Sequence, residues 1–284
     1  MQNKHIKSPL NYIGGKYKLL PQILPLFPNN INVFVDLFGG GFNVGINVKS
    51  KYTIYNDLES HVVNLLKYLS DNDVEDLLEE IDTLIDQYNL SKENAEGYAA
   101  LRNYYNENNE KNNSHMIFYT LICYSFNNQI RFNQSGKYNM PFGKNRSSFN
   151  PTLRAKFIDF VNALHNKDYK FTNMTFEEFF SKNINYLGSN DFVYCDPPYF
   201  NSIATYNEQN GWTEDNEKLL LQNLDKLNEK GIKFALSNNL KYDNPLLDKW
   251  KDKYNIHYLN CNYNNCNYQK IDKSKDIEVL ITNF

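Results

Sequence analysis

A chain of 284 residues is long enough for one large α/β domain or for a core carrying an insertion. Hydrophobic residues make up 41 % and charged residues 22 %, which is ordinary for a globular protein, and no apolar run nears the ~18 residues of a membrane span. The net charge of −3 names no partner, and MQNKHIKSPLNY at the start lacks the apolar stretch of a signal peptide, so the chain reads as cytoplasmic with no membrane partner.

In chain order, residues 31–41 (INVFVDLFGGG) read as a buried strand running into a glycine turn. Residues 52–59 (YTIYNDLE) read as a second strand, followed by a helix over HVVNLLKYLS. From Asp71 to Asp86 there are eight acids and no base, the mark of a solvated helix face. Strand–helix alternation then stops from about residue 60 to 165, a stretch that is helical and acidic first. It continues through HMIFYTLICYSF into the turn-rich NNQIRFNQSGKYNMPFGKNRSSFNP, where NQSGKY sits between IRF and YNM like a hairpin tip. A third strand, DFVYCDPPY (191–199), resumes the alternation. DNEKLLLQNLDKLNEKG has the leucine spacing of an amphipathic helix capped at Gly231. GIKFALSNN and IEVLITNF are the last two strands. This order predicts an α/β fold with a mostly parallel sheet and helices on both faces. The predicted core is residues 1–60 and 166–284, with an inserted helical and hairpin domain over 61–165.

Charge is segregated along the chain. From Asn127 to Lys156 stand Arg131, Lys137, Lys144, Arg146, Arg154 and Lys156 with no acid, and the first 35 residues hold Lys4, Lys7, Lys16 and Lys18 with no acid. Such segregation fits a local surface for a polyanion. The four cysteines suit a reduced compartment, and Cys261 and Cys266 find no further pair to complete a zinc set, so no metal is expected.

Three motifs carry chemistry. In VFVDLFGGGFNVG the glycines let the backbone approach a ligand; their contiguous spacing is not that of the dinucleotide fingerprint, and a tight turn without ligand is the alternative. Asp57 lies 16 residues after Gly41 at a strand end, where an acid accepts hydrogen bonds from ribose hydroxyls or caps the next helix. In DPPY two prolines stiffen the loop, Asp196 and the Pro197 carbonyl offer acceptors for an amine, and Tyr199 offers a ring for stacking.

Together, DLFGGG and DPPY resemble the amino-group DNA methyltransferases that use S-adenosylmethionine. NYIGGK (11–16) resembles the motif that opens their Dam-like adenine-N6 class, and NNQIRFNQSGKYNMPFG resembles its recognition hairpin. The resemblance covers nearly the whole chain and implies a Rossmann-like sheet with an inserted target-recognition domain. It also implies that Tyr12, Lys16, Asp36, Phe38, Gly39, Gly40, Gly41, Asp57, Phe176 and Asp196 face the cofactor, Lys16 near its carboxylate and Asp57 on its ribose. Asp196, Pro197, Pro198 and Tyr199 would hold the target adenine. Asn127, Gln129, Arg131, Asn133, Lys137, Asn139, Pro141, Lys144 and Arg146 would meet duplex DNA. Arg131 is the candidate for bidentate reading of a guanine, with a phosphate contact or hairpin ion pair as the alternative. The chain departs from the class at Thr175, where Asp is frequent, at Tyr12 for Trp, and at Asn128 for Gly.

The resemblance implies methylation of a flipped-out adenine, with GATC as a first guess for the site and a cognate restriction endonuclease as a partner of the system; the oligomeric state is open, with a monomer favoured. The competing readings are an amino-group methyltransferase acting on RNA and a DNA-binding protein that has lost catalysis.

Overall fold

The computed structural model describes residues 5–12, 14–108, 114–201, 211–260 and 277–284. Cys261 and Cys266 lie outside the described residues. In chain order the elements are α1 (Leu20–Ile23), β1 (Ile31–Asp36), β2 (Ser50–Asn56), α2 (Ser60–Asp71), α3 (Val74–Gln87), α4 (Ala95–Asn108), α5 (Ser114–Tyr124) and α6 (Pro151–His165). They continue as β3 (Tyr169–Thr172), α7 (Phe176–Asn183), β4 (Phe192–Cys195), α8 (Glu214–Glu229), β5 (Lys233–Asn239), α9 (Pro245–Trp250), β6 (Asn255–Leu259) and β7 (Glu278–Thr282). The chain divides into two compact units, one of Met1–Gly15, Gly40–Asn47 and Asp57–Asn173, the other of Lys16–Gly39, Val48–Asn56 and Met174–Phe284. The expected insertion, 61–165, falls inside the first unit.

Among the described residues, six strands of the second unit form a sheet in the order β2-β1-β4-β5-β7-β6, parallel over β2-β1-β4-β5 as the alternation predicts. β1 runs parallel to β2 and β4, and β4 parallel to β5. β7 inserts antiparallel between β5 and β6. Alternate residues feed opposite layers. Val35, Val193, Cys195, Phe234 and Leu236 join the apolar core with Phe179 and Phe180 of α7, the leucines of α8, and Leu247 and Trp250 of α9. On the other face Phe27, just after α1, packs its ring against Phe34, Phe192 and Tyr194. Cys195 is thus a buried core residue.

α8 forms as its leucine spacing predicts. Thr213 caps it by accepting from the Asn216 amide, and Leu220, Leu221, Leu224 and Leu227 are buried, each contributing about 1.5–3 kcal/mol over an exposed side chain. Gly231, at φ +69°, ends it in the left-handed region that a non-glycine residue enters at a cost.

The first unit is helical around α5, whose residues other than His115 are all buried. α2, α3 and α4 pack around it. α3 carries the acidic run, with Val74, Leu77 and Ile81 turned inward and most of its acids exposed. Among the described residues no helix is long and apolar enough to cross a membrane.

Candidate active site

In the second unit the DPPY loop leaves β4 at Cys195, between β1 and β5. Asp36, at the end of β1, is 2 % exposed. Lys16 opens a 3-10 turn (Lys16–Leu19), and its ammonium stands 2.8 Å from Asp196 Oδ1, the two side chains being 4 % and 19 % exposed. The Lys16 ammonium also lies 5.2 Å from the centre of the Tyr199 ring. The Tyr199 hydroxyl stands 3.4 Å from Asp196 Oδ1 and donates to Glu278 Oε2 at 3.0 Å. Glu278 opens β7, is 3 % exposed, and accepts at Oε1 from Asn239 Nδ2 at 3.2 Å. Burial pushes the Asp196 carboxyl up; Lys16 opposes the rise and the Glu278 charge adds to it. Pro197 is buried and Pro198 half-buried.

Phe38, Phe176 and Trp212 form an aromatic cluster in the same unit, with ring centres 5.4 to 5.8 Å apart. Phe176 starts α7. Its neighbour Thr175 is the cap, accepting from the Glu178 amide while the Glu178 carboxylate accepts from the Thr175 amide. Gly39 donates its N–H to the Asn56 carbonyl, and a Cβ there would run into the Tyr55 ring. That close approach excludes any side chain at Gly39.

In the first unit Gly40, at φ +48°, turns its N–H onto Asp57 Oδ2 at 2.7 Å, and Asp57 Oδ1 accepts from the Glu59 amide at 2.9 Å. The helix cap is Glu59, whose side chain accepts from the His61 amide, so Asp57 is left to tie the glycine turn. Burial raises the Asp57 carboxyl against the pull of those amides. Burial, with the Asp57 charge adding, brings Glu59 to about 7. The Tyr12 ring lies against Gly40 and Gly41.

The same unit holds the hairpin. Phe132 and Tyr138 bridge antiparallel. Asn133 Oδ1 accepts from the Ser135 amide, the Ser135 hydroxyl and the Lys137 amide, which closes the tip. Arg131 donates from Nε to Asn139 Oδ1 at 2.8 Å and from Nη2 to the Asn139 carbonyl at 3.1 Å. Asn127 and Asn128 both take left-handed φ, 56° and 53°, and Asn128 Nδ2 donates to the carbonyls of Ile122 and Cys123 at the end of α5. Asn is among the few residues that adopt this conformation readily, which accounts for its standing at a position frequently glycine. Asn11 of NYIGGK donates to the Asn127 carbonyl and pairs parallel with Gln129. Beside the tip lies a polar pocket of ≈ 490 Å³ lined by Ser60, His61, Asn64, Asn106, Ser135, Gly136 and Lys137. Burial lowers the His61 pKa, so Lys137 is the lining charge at neutral pH.

A family model described as D12 class N6 adenine-specific DNA methyltransferase matches residues 12–265. The chain belongs to that class. It is 48 % identical over 289 residues to the type II methyltransferase M.FokI of Planomicrobium okeanokoites, covering 99 % of this chain and 43 % of the relative. It is 44 % identical over 290 residues to the modification methylase StsI of Streptococcus sanguinis, again covering 99 % and 43 %. It is 26 % identical over 261 residues to the DNA adenine methylase of Escherichia coli (strain K12), covering 89 % and 87 %. The chain thus spans 43 % of the length of M.FokI and StsI.

Within this D12-class chain the second unit brings together Lys16, Asp196, Pro197, Pro198 and Tyr199, and separately Phe38 and Phe176. The first unit gathers Tyr12, Gly40, Gly41 and Asp57, and along the hairpin Asn127, Gln129, Arg131, Asn133, Lys137, Asn139 and Pro141, followed by Lys144 and Arg146. The motifs mark neither Trp212 nor Glu278. The signal for Glu278 is an acid opening an otherwise apolar strand; for Trp212 no local signal exists.

Proposed function

We propose that the chain is an S-adenosylmethionine-dependent DNA adenine-N6 methyltransferase acting on an adenine rotated out of duplex DNA. The observation that carries this reading is the half-buried Asp196 on its stiff loop, held at Oδ1 by Lys16 and flanked by the Tyr199 hydroxyl.

The side chains fit the cofactor's chemistry. The aromatic cluster of Phe38, Phe176 and Trp212 suits an adenine ring. Asp57 retains lone pairs for ribose hydroxyls, and Lys16 supplies an ammonium for a carboxylate. When bound, S-adenosylmethionine supplies a methyl already activated on a sulfonium. The protein's work is positioning. The target's amine is a poor nucleophile because its lone pair is delocalised into the ring. Asp196 and the Pro197 carbonyl accept its two N–H bonds, favour a tetrahedral nitrogen and free the lone pair. Tyr199 stacks on the extruded base. Asp196 takes this role once its Oδ1 shares or leaves Lys16.

On the DNA side we assign base reading to Arg131 with Asn127, Gln129, Asn133 and Asn139 along the hairpin, and phosphate contacts to Lys137, Lys144 and Arg146. The names of the type II methyltransferase M.FokI and the modification methylase StsI favour a restriction-modification system, with a cognate endonuclease as the partner of the system and the cytoplasm as its place. GATC duplexes are the first substrates to try, and single-molecule mapping of modified adenines in a host expressing the chain reads the site directly.

The test mixes the purified protein with labelled S-adenosylmethionine and duplex DNA. Label is expected on adenine N6. Label in RNA, or in nothing, overturns the reading. Asp196→Ala is expected to lose at least about 100-fold in kcat while cofactor binding survives, because the amine loses its acceptor; full activity in that variant contradicts the assignment.

A further inference from the structure

The DPPY cluster contains a carboxylate that the proposed chemistry leaves unused. Glu278 sits on β7, directly across the antiparallel ladder from Asn239 of β5. It is 3 % exposed on a strand whose other residues, Val279 to Thr282, are also buried. A carboxylate in such a place is costly unless its oxygens are occupied. One oxygen accepts from Asn239 Nδ2 and the other from the Tyr199 hydroxyl. At 3.0 Å the bond to Glu278 is shorter than the 3.4 Å approach to Asp196, so the single hydroxyl proton is directed to Glu278.

Two consequences follow from this arrangement. First, the far end of the Tyr199 ring is anchored to the sheet and not to its own loop, so the ring's plane is set by β7 and, through Asn239, by β5. Second, the Tyr199 hydroxyl lies between two carboxylates, Asp196 and Glu278, and the Lys16 ammonium pairs with the first of them. The groups acting on Asp196 are Lys16 from the 3-10 turn, Tyr199 from its own loop and Glu278 from β7. Tyr194 of β4 also feels Asp196, together with Asp36 of β1 and Glu278.

We propose that Glu278 is a positioning residue of the methyl-transfer site: through the Tyr199 hydroxyl it holds the Tyr199 ring for stacking, and it places a second carboxylate beside Asp196. This rests on the assignment of Asp196 and Tyr199 given above. The charge effect has a definite sign. Burial is the larger cause of the raised Asp196 pKa and Glu278 adds to it. Removing the Glu278 charge therefore lowers that pKa, and the acidic limb of activity, where Asp196 protonates, moves to lower pH.

The experiment uses the full chain, a duplex containing its mapped target, and the variants Glu278→Gln, Glu278→Ala, Tyr199→Phe and Glu278→Ala combined with Tyr199→Phe. Glu278→Gln keeps an acceptor for the hydroxyl and loses the charge. Its acidic limb is expected to move down by about 0.5–1 pH unit. Its kcat is expected to fall roughly tenfold, with the dissociation constant for S-adenosylmethionine, measured by equilibrium dialysis, changed less than about twofold. Glu278→Ala also removes the acceptor; it and Tyr199→Phe are each expected to lose at least about tenfold in kcat, and the double variant less than the product of the two losses, because both remove one hydrogen bond. A wild-type pH profile and kcat in Glu278→Gln overturns the proposal, as do fully additive losses in the cycle. Thermal melting of each variant separates a folding defect, and Tyr199→Phe keeps the test open if Glu278→Gln does not fold. If the wild-type chain itself transfers no label to DNA, the functional reading fails and not the role of Glu278 within it.

Discussion

Asp57 and Glu59 stand two residues apart, and their surroundings divide their work. The sequence leaves Asp57 open between a ribose ligand and a helix cap; the structure gives the cap to Glu59 and ties Asp57 to the Gly40 amide. Sequence pattern alone did not separate them, because both acids lie within one turn of the helix start, and the choice depends on where Gly40 turns its N–H. Glu59 has a measurable consequence. Burial and the Asp57 charge bring its pKa from the model-peptide value of 4.5 to about 7 in the folded protein. The folded state therefore binds more protons than the unfolded chain between those values. Stability drawn from protonated Glu59 is fully present below the unfolded pKa and is lost as pH rises through about 7. Glu59→Gln removes the titration and keeps a side-chain acceptor for the His61 amide. Wild type and variant should differ little near about pH 4, and the variant should be more stable by roughly 1–2 kcal/mol at about pH 8. Denaturant unfolding at the two pH values checks this, and an equal difference at both shows that Glu59 does not titrate between them.

The hairpin around Phe132 and Tyr138 shows how far local chemistry carries at the level of an element. Its tip was legible because Asn133, Ser135 and Gly136 close the turn among themselves. Its bracing was not legible, because it comes from α4, about 30 to 40 residues earlier in the chain. There Tyr98 and Arg102 both donate to the Met140 carbonyl, and Asn106 brackets Tyr138 through its N–H and its carbonyl. The same element sharpens the reading of Arg131. Asn139 takes the Nε and one Nη2 hydrogen, which fixes the plane of the guanidinium; under the proposed assignment Nη1 and the outer Nη2 hydrogen are the donors that would meet a base. Arg131→Ala should then cost about 1–3 kcal/mol of discrimination between the target duplex and one changed at the read base pair. Asn139→Ala should lose a smaller part of the same discrimination with little change in non-specific affinity, since it frees the guanidinium without removing it. Relative kcat/KM on the two duplexes measures both. Loss in Asn139→Ala equal for both duplexes would mean that Asn139 supports affinity and not reading.

Across the whole molecule, the strand–helix alternation was enough to foresee the α/β sheet and its parallel core, since β1, β2, β4 and β5 each carry an apolar run. The antiparallel insertion of β7 beside β5 was not foreseeable from IEVLITNF, because strand order is set by long-range pairing and not by local pattern. β6, half-exposed over most of its length, carries too weak an apolar signal to be read at all. Charge distribution follows the same division. The sequence shows six bases from Arg131 to Lys156 without an acid, but it does not show which are committed elsewhere. Arg131 is held by Asn139, Arg154 makes a two-pronged pair with Asp82 on α3, and Lys156 is half-buried with its pKa lowered, burial being the main cause. Lys137, Lys144 and Arg146 are exposed, as is Arg131, and Arg146 lies over the Phe126 ring, 5.0 Å from its centre. If these three meet phosphates, each contact releases counterions, and log K against log salt flattens by about 0.9 for every contact removed. Lys144→Ala should lower the slope by nearly that amount, and the triple alanine variant by about 2–3, with equal effects on target and non-target duplexes. Arg154→Ala supplies the contrast: its guanidinium is spent on Asp82, so the slope should stay at the wild-type value. Fluorescence titrations over a range of salt concentrations measure all of these slopes, and a change in Arg154→Ala equal to that in Lys144→Ala would show that the DNA-facing charge is spread over α6 as well as the hairpin.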